Sequence, residues 1–240
     1  NGGGMYNDDV SDSVLTTCRF ENNIAQVKGG GIYNSDSSAT LTDCIFTSNS
    51  ADEHGGGMYN YDNSSPTLTG CTFTSNTATS LNSNGGGMYN YNNSNPTLTN
   101  YLFENNTAAN DGGGMYNDIN SSPTLTNGTF TGNAATSGGG MYNNNSNPTL
   151  NTCTFENNTG DNDGGGMYNI GSSFTLTDCA FTGNNAQEGG GVFNDNAANP
   201  LLTECTFTDN SAILRGGGMR NYFSSPVLNT CTFTSNTANY

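Results

Sequence analysis

The sequence predicts an all-β fold: a right-handed, single-stranded parallel β-helix of nine coils, with about 25–30 residues and three short strands in each. Three observations carry this. First, GGGMYN or a close variant recurs nine times, with glycine triplets beginning at residues 2, 29, 55, 85, 112, 138, 164, 189 and 216. The steps of 27, 26, 30, 27, 26, 26, 25 and 27 residues have the period of stacked repeats, in which no unit buries its apolar face alone. Second, every unit holds β-branched runs such as TLT and TFT and no apolar period of 3.6, which sets helical repeats aside. Third, only 32% of the chain is hydrophobic, yet those residues fall into columns: all seven Met occupy the fourth letter of the hexamer, with Ile32 and Val192 in the two other copies.

The letters of residues 55–76, GGGMYNYDNSSPTLTGCTFTSN, assign each element in turn. The glycines fit a bend entering the first strand, through close backbone approach or unusual dihedrals, and Gly56-type positions leave room inside for Met or Phe. Alternation then places Gly56 and Met58 on one face and Tyr59 on the other. The SSP cluster turns the chain, and a second strand points Leu68 inward between Thr67 and Thr69. Leu68 and Cys71 stand three apart, so a short turn at Gly70 has to reset the pleat before Cys71 and Phe73 face inward on the third strand. Three strands and three bends close one triangular coil.

The inward Phe slot is filled in every coil, by Phe20, Phe46, Phe73, Phe103, Phe130, Phe155, Phe181, Phe207 and Phe233. A Leu column runs equally complete from Leu15 to Leu228. Met beside Phe makes an adaptable core. Two Asn columns are also unbroken. One closes the hexamer at Asn7, Asn34, Asn60, Asn90, Asn117, Asn143, Asn169, Asn194 and Asn221. The other lies three residues after each Phe, at Asn23, Asn49, Asn76, Asn106, Asn133, Asn158, Asn184, Asn210 and Asn236. Stacking in register sets identical amides about 4.8 Å apart, so each donates to one neighbour and accepts from the other. Turn propensity explains frequent Asn but not two invariant columns.

GGGMYN paired with FTSN, FENN or FTGN resembles the GGA(I/L/V) and FxxN repeat of the polymorphic outer membrane proteins, a bacterial cell-surface family with a pectate-lyase-like right-handed parallel β-helix. The likeness covers essentially the whole chain. It implies that fold and suggests adhesion, while this sequence departs by using Gly where that repeat favours Ala and includes no β-barrel translocator.

A second aromatic column points outward from the first strand: Tyr6, Tyr33, Tyr59, Tyr89, Tyr116, Tyr142, Tyr168 and Phe193, before Arg220 takes the slot. Arg220 there argues that the column meets solvent or a partner. The ribbon, ~40 Å long at strand spacing, reads either as stacking that stabilises the sheet or as a contact strip for a glycan or a host or cell-surface protein.

Seven Cys share one inward column, Cys18, Cys44, Cys71, Cys153, Cys179, Cys205 and Cys231, with Tyr101 and Gly128 in the missing places. Parallel Cβ vectors are poorly aimed for bridging, so buried thiols acting as small hydrophobes are expected, with occasional bridges as the lesser reading.

Twenty carboxylates face Arg19, Lys28, Arg215 and Arg220, for a formal net charge of −16. Such a surface repels nucleic acid and anionic lipid, so neither nucleic-acid binding nor membrane insertion is expected. The acids are scattered through turns without an EF-hand loop, and no metal site or cofactor is expected. Polysaccharide lyases and hydrolases use this architecture, but catalysis needs acids, bases or cations converging where repetition breaks. The only His, His54, precedes a GGG, and the TSLNSN insert at 79–84 adds neutral residues. No catalytic residue is expected. Thr arrays from TLT and TFT suggest ice binding, though Arg19, Ile45, Leu102 and Ala180 interrupt one of the columns.

Both ends of the sequence fall mid-pattern, and joining Tyr240 to another copy's Asn1 preserves a step of 26 residues. The expectation is a single repeat domain over 1–240 with both ends uncapped, exposing unpaired main chain. Gly2, Gly3, Gly4 and Met5 would then meet Phe233, Asn236 and Tyr240 of a second copy in a heterologous contact that does not close, which makes a filament. The function expected is that of a non-enzymatic structural protein, extracellular or at the cell surface, forming a head-to-tail homopolymer. The alternatives are a segment of a large bacterial surface adhesin or stalk, binding through its Tyr ladder, and an ice-binding solenoid.

Overall fold

The computed structural model describes residues 1–240 in full. Every regular element is a short strand, and the strands stack into four parallel sheets of nine, each sheet receiving one strand per coil. The MYN sheet runs from Met5–Asn7 to Met219–Tyr222, and the TLT sheet from Val14–Thr16 to Val227–Asn229. The TFT sheet runs from Arg19–Glu21 to Thr232–Thr234.

The fourth sheet, from Ile24–Ala25 to Thr237–Ala238, adds to the three strands expected per coil. Its two-residue strands follow the second Asn column, as at Thr77–Ala78, and later lengthen to five residues at Thr159–Asp163. Thr77 pairs with Thr107 and Ala78 with Ala108, leaving Ala78 2% exposed. A pair of residues is too short to reveal alternation, but it still completes main-chain hydrogen bonds with the coils on either side.

Register matches like with like. Met88 pairs with Met115, Leu98 with Leu125 and Phe103 with Phe130. The Phe, Leu, Met and Cys columns therefore fuse into one core running the length of the solenoid, with Phe46 to Phe207 fully buried. Successive Phe rings stack at 4.5–4.9 Å with interplanar angles of only 3–10°. Adjacent strands in ordinary sheets rotate by roughly 20–25°, and sheets that stay flat rely on side-chain ladders. Coil here follows coil with little rotation.

Two tight corners flank the TFT strand. Gly70 has φ +67° and occupies a column of left-handed residues that includes Asp43, Asn100, Thr152 and Glu204; Ser75 shares a second with Asn105 and Gly132. The pleat is reset where the spacing of Leu68 and Cys71 requires it. In the glycine triplet each residue answers a separate need. Gly55 is left-handed at φ +65°, while a Cβ on Gly56 would strike the main chain of Thr77. The space for Phe73 comes from Gly57, whose Cβ would lie 2.9 Å from that ring, and not from Gly56 as alternation implied. The bend breaks the pleat one residue before Met58.

Both Asn ladders form. Asn60 Nδ2 donates to Asn90 Oδ1 at 2.8 Å, and Asn90 to Asn117 likewise. In the other column Asn106 Nδ2 donates to Asn133 Oδ1 and to the Phe73 carbonyl, and Asn133 Oδ1 also accepts the Asn106 N–H. Each side chain thus binds the coil on either side and closes a corner of its own stack. A further ladder sits at the turn before the TLT strand, where the N–H groups of Ser94, Ser121 and Ser146 donate to the hydroxyls of Ser121, Ser146 and Ser172.

Candidate functional site

The aromatic strip is the first candidate, and its accessibility differs from expectation. Tyr33, Tyr59, Tyr89, Tyr116, Tyr168 and Phe193 are buried, Tyr142 is half-buried, and only Tyr6, at 46%, stands open. The rings stack at 4.8–5.2 Å from Tyr6 to Tyr168, covering one another's faces. Their edges are covered from two sides. The strand extends one residue past MYN, setting Tyr61 and Tyr91 beside Tyr59 and Tyr89, with ring centroids 6.3 and 6.0 Å apart. On the opposite flank, two of the residues that precede a triplet lean over the column: Lys28 Nζ is 5.2 Å from the Tyr59 ring centre, and His54 stacks on Tyr89 at 4.8 Å. Burial raises the Tyr33 phenol to about 12, with Tyr6 and Tyr61 adding to the shift.

Arg220 has a local reason of its own. Its guanidinium lies 4.7 Å from the centre of the Phe193 ring and pairs with Glu188, which also faces Arg215 at 3.7 Å. Cation–π contact and ion pairing explain an Arg in an aromatic column without an external partner.

Carboxylates gather beside the middle of the strip. Tyr89 OH donates to Asp118 Oδ2 at 3.3 Å and Tyr168 OH to Asp195 Oδ2 at 3.0 Å. Burial raises Asp111 to about 7, with a smaller push from Asp163, and raises Asp118 and Asp163 as well. No three His, Cys, Asp or Glu side chains meet in a metal-binding arrangement.

The second candidate is an open groove of about 710 Å³ at the longest coil, lined by Glu53, His54, Thr79, Ser80, Leu81 and Asn82. His54 Nδ1 accepts the Asn84 N–H at 3.2 Å. Burial, reinforced by Lys28, lowers the imidazole to about 4, so at neutral pH it is uncharged and committed to the main chain.

The seven thiols are free; Cys44, Cys71, Cys153, Cys179 and Cys205 are buried, and Cys18 and Cys231 are half-buried. Burial pushes the Cys71 thiol up to about 12, the behaviour of an inert packing group. Tyr101, where that column breaks, reaches past Gly128 so that its hydroxyl lies 3.1 Å from Cys153 Sγ.

The end coils carry the remaining site residues. Met5 pairs with Ile32, and Gly2, Gly3 and Gly4 donate to the main chain of the second coil. At the opposite end Phe233 stacks on Phe207 at 4.5 Å but is 46% exposed, and Asn236 Nδ2 donates to the Phe207 carbonyl at 2.8 Å. Tyr240 is 86% exposed, with Arg215 5.5 Å from its ring centre.

Comparison with known proteins bears on the architecture as a whole. The family model described as a right-handed β-helix region matches residues 1–103 and 79–238. The chain belongs to the right-handed β-helix family. None of the curated proteins and none of the solved structures matches it. This β-helix keeps its GGGMYN and FxxN columns over nine coils, and its likeness to the polymorphic outer membrane proteins rests on those motifs alone. Among its features, the serine ladder and the fourth strand are what sequence reading missed. Both were present as columns, Ser94 over Ser121 and Ala78 over Ala108.

Proposed function

We propose that this β-helix is a non-enzymatic structural protein of the extracellular space or cell surface, extended along its axis by copies of itself stacked head to tail into a fibre. The like-on-like register of the coils supports this reading. Leu202 and Phe207 are fully buried by the contact that Leu228 and Phe233 of the next coil make. What complements the face of any one coil best is another coil of the same pattern, because the Leu, Phe and Asn columns repeat at every internal contact. Burying these side chains and pairing the open strand edges drives association, and a heterologous contact of this kind propagates without closing.

The same face suits a further coil of the same chain in a longer adhesin or stalk, and electron microscopy of the purified 240-residue protein separates the two. Filaments with an axial repeat of about 43 Å, nine coils at strand spacing, are the expected result. Monodisperse monomers at high concentration would overturn the fibre and favour the longer chain. Phe233→Asp is expected to leave the monomer folded and to stop elongation.

A further inference from the structure

We propose that the outward face of the TLT sheet is an ice-binding surface. This holds for a single molecule as for a fibre, since the face lies along the solenoid's side. The residues that interrupt one Thr column, Arg19, Ile45, Leu102 and Ala180, belong to the TFT sheet, whereas the first row of the TLT sheet is broken only towards its ends, by Val14, Leu201 and Val227. The TLT sheet is thereby left with one outward row unbroken over six coils, from Thr40 through Thr67, Thr97, Thr124 and Thr149 to Thr175. The parallel row two residues on is Thr in every one of those coils except at Asn151. The first row is exposed from Thr40 to Thr149.

Four further properties separate this face from an ordinary Thr-rich sheet. It is flat: the coils beneath it advance by 4.5–4.9 Å with Phe rings parallel to within 10°. Its two rows stand about 6.6–6.8 Å apart, two residues of extended chain, so hydroxyls and methyls repeat in two dimensions. Its strand residues are uncharged across these six coils in a chain of net charge −16, the nearest acids being Asp43 and Asp178 at the corner that follows, whereas the TFT strands themselves carry Glu104 and Glu156. It is also stiff, since Pro66, Pro96, Pro123 and Pro148 lead into four of its strands, each fixing its own φ.

A rigid surface with a two-dimensional period is complementary over its whole area only to a partner with a matching period, which is a crystal face. Carboxylates would suit an ionic mineral and open aromatic rows a crystalline polysaccharide; hydroxyls, each donating one hydrogen bond and accepting two, beside methyl groups suit water in an ice layer. Little ordering is left to be done on binding.

The test is partition of the full chain into a growing ice front, together with inhibition of ice recrystallisation. Wild type is expected to partition, and Thr97→Lys/Thr124→Lys to fall to the level of an unrelated acidic protein. Thr129→Lys/Thr154→Lys, on the TFT sheet, is expected to behave as wild type. Circular dichroism checks folding; should the lysine variant misfold, Thr97→Ser/Thr124→Ser, which keeps the hydroxyls and removes the methyls, is expected to lose most of the activity. No partition by wild type, equal loss in the TFT variant, or capture by crystalline cellulose in place of ice would each overturn the proposal.

Discussion

Gly128 and Tyr101 depend on one another. A side chain at Gly128 would collide with the Tyr101 ring, which fills the core space of two coils and ends at Cys153. Gly128→Ala is therefore expected to cost about 1–3 kcal/mol as overpacking, read by chemical denaturation. Tyr101→Cys with Gly128→Cys, which restores the column, is expected to recover most of that loss. Corner residues hold strain of a different origin. Thr152 is β-branched, exposed and left-handed at φ +53°, in a column where Gly70 shows that glycine fits. Thr152→Gly should raise stability by about 1 kcal/mol, and a lower denaturation midpoint would refute the strain.

Among the elements, the second Asn ladder bears the largest polar load. Asn133 satisfies the Asn106 main chain and side chain, the Phe103 carbonyl and Asn158 Oδ1 from a fully buried site. Each buried group left unpaired costs about 1–3 kcal/mol, so Asn133→Ala should lose more than about 3 kcal/mol. Asn95→Ala, whose exposed side chain serves the Ser122 N–H, should lose about 0.5 kcal/mol. These ladders were legible because in-register stacking turns a spatial neighbour into a sequence column. The Tyr strip was legible as an outward column but not as a covered one. Alternation gives the face of Tyr59; it does not say that the strand runs on to Tyr61 or that the chain brings Lys28 and His54 across the other edge. Covering is a relation between columns, and a single column does not carry it. Likewise, the letters already put TLT and TFT on separate strands, but they do not say that the row from Thr40 to Thr149 stands exposed.

For the whole molecule, two half-buried groups titrate with opposite effect. Asp111 is raised to about 7, so the folded state binds more protons than the unfolded chain between roughly pH 4 and 7, and this group's contribution to stability grows as pH falls through that window. His54 is lowered to about 4, so its contribution shrinks as pH falls from about 6.5 towards 4. Asp111→Asn, whose carbonyl oxygen can still accept from Asn110 Nδ2, should be more stable than wild type at pH 8, with the gap closing by pH 4; a gap independent of pH would sink the assignment. The two Asn ladders add a property that belongs to no single coil. In every rung Nδ2 donates towards the C-terminal neighbour's Oδ1, eight times in each column. The amide dipoles consequently sum along the axis instead of cancelling. Molecules aligned in one sense would form a pyroelectric solid, whose surface voltage changes on warming, and a field applied in solution would turn them to face the same way.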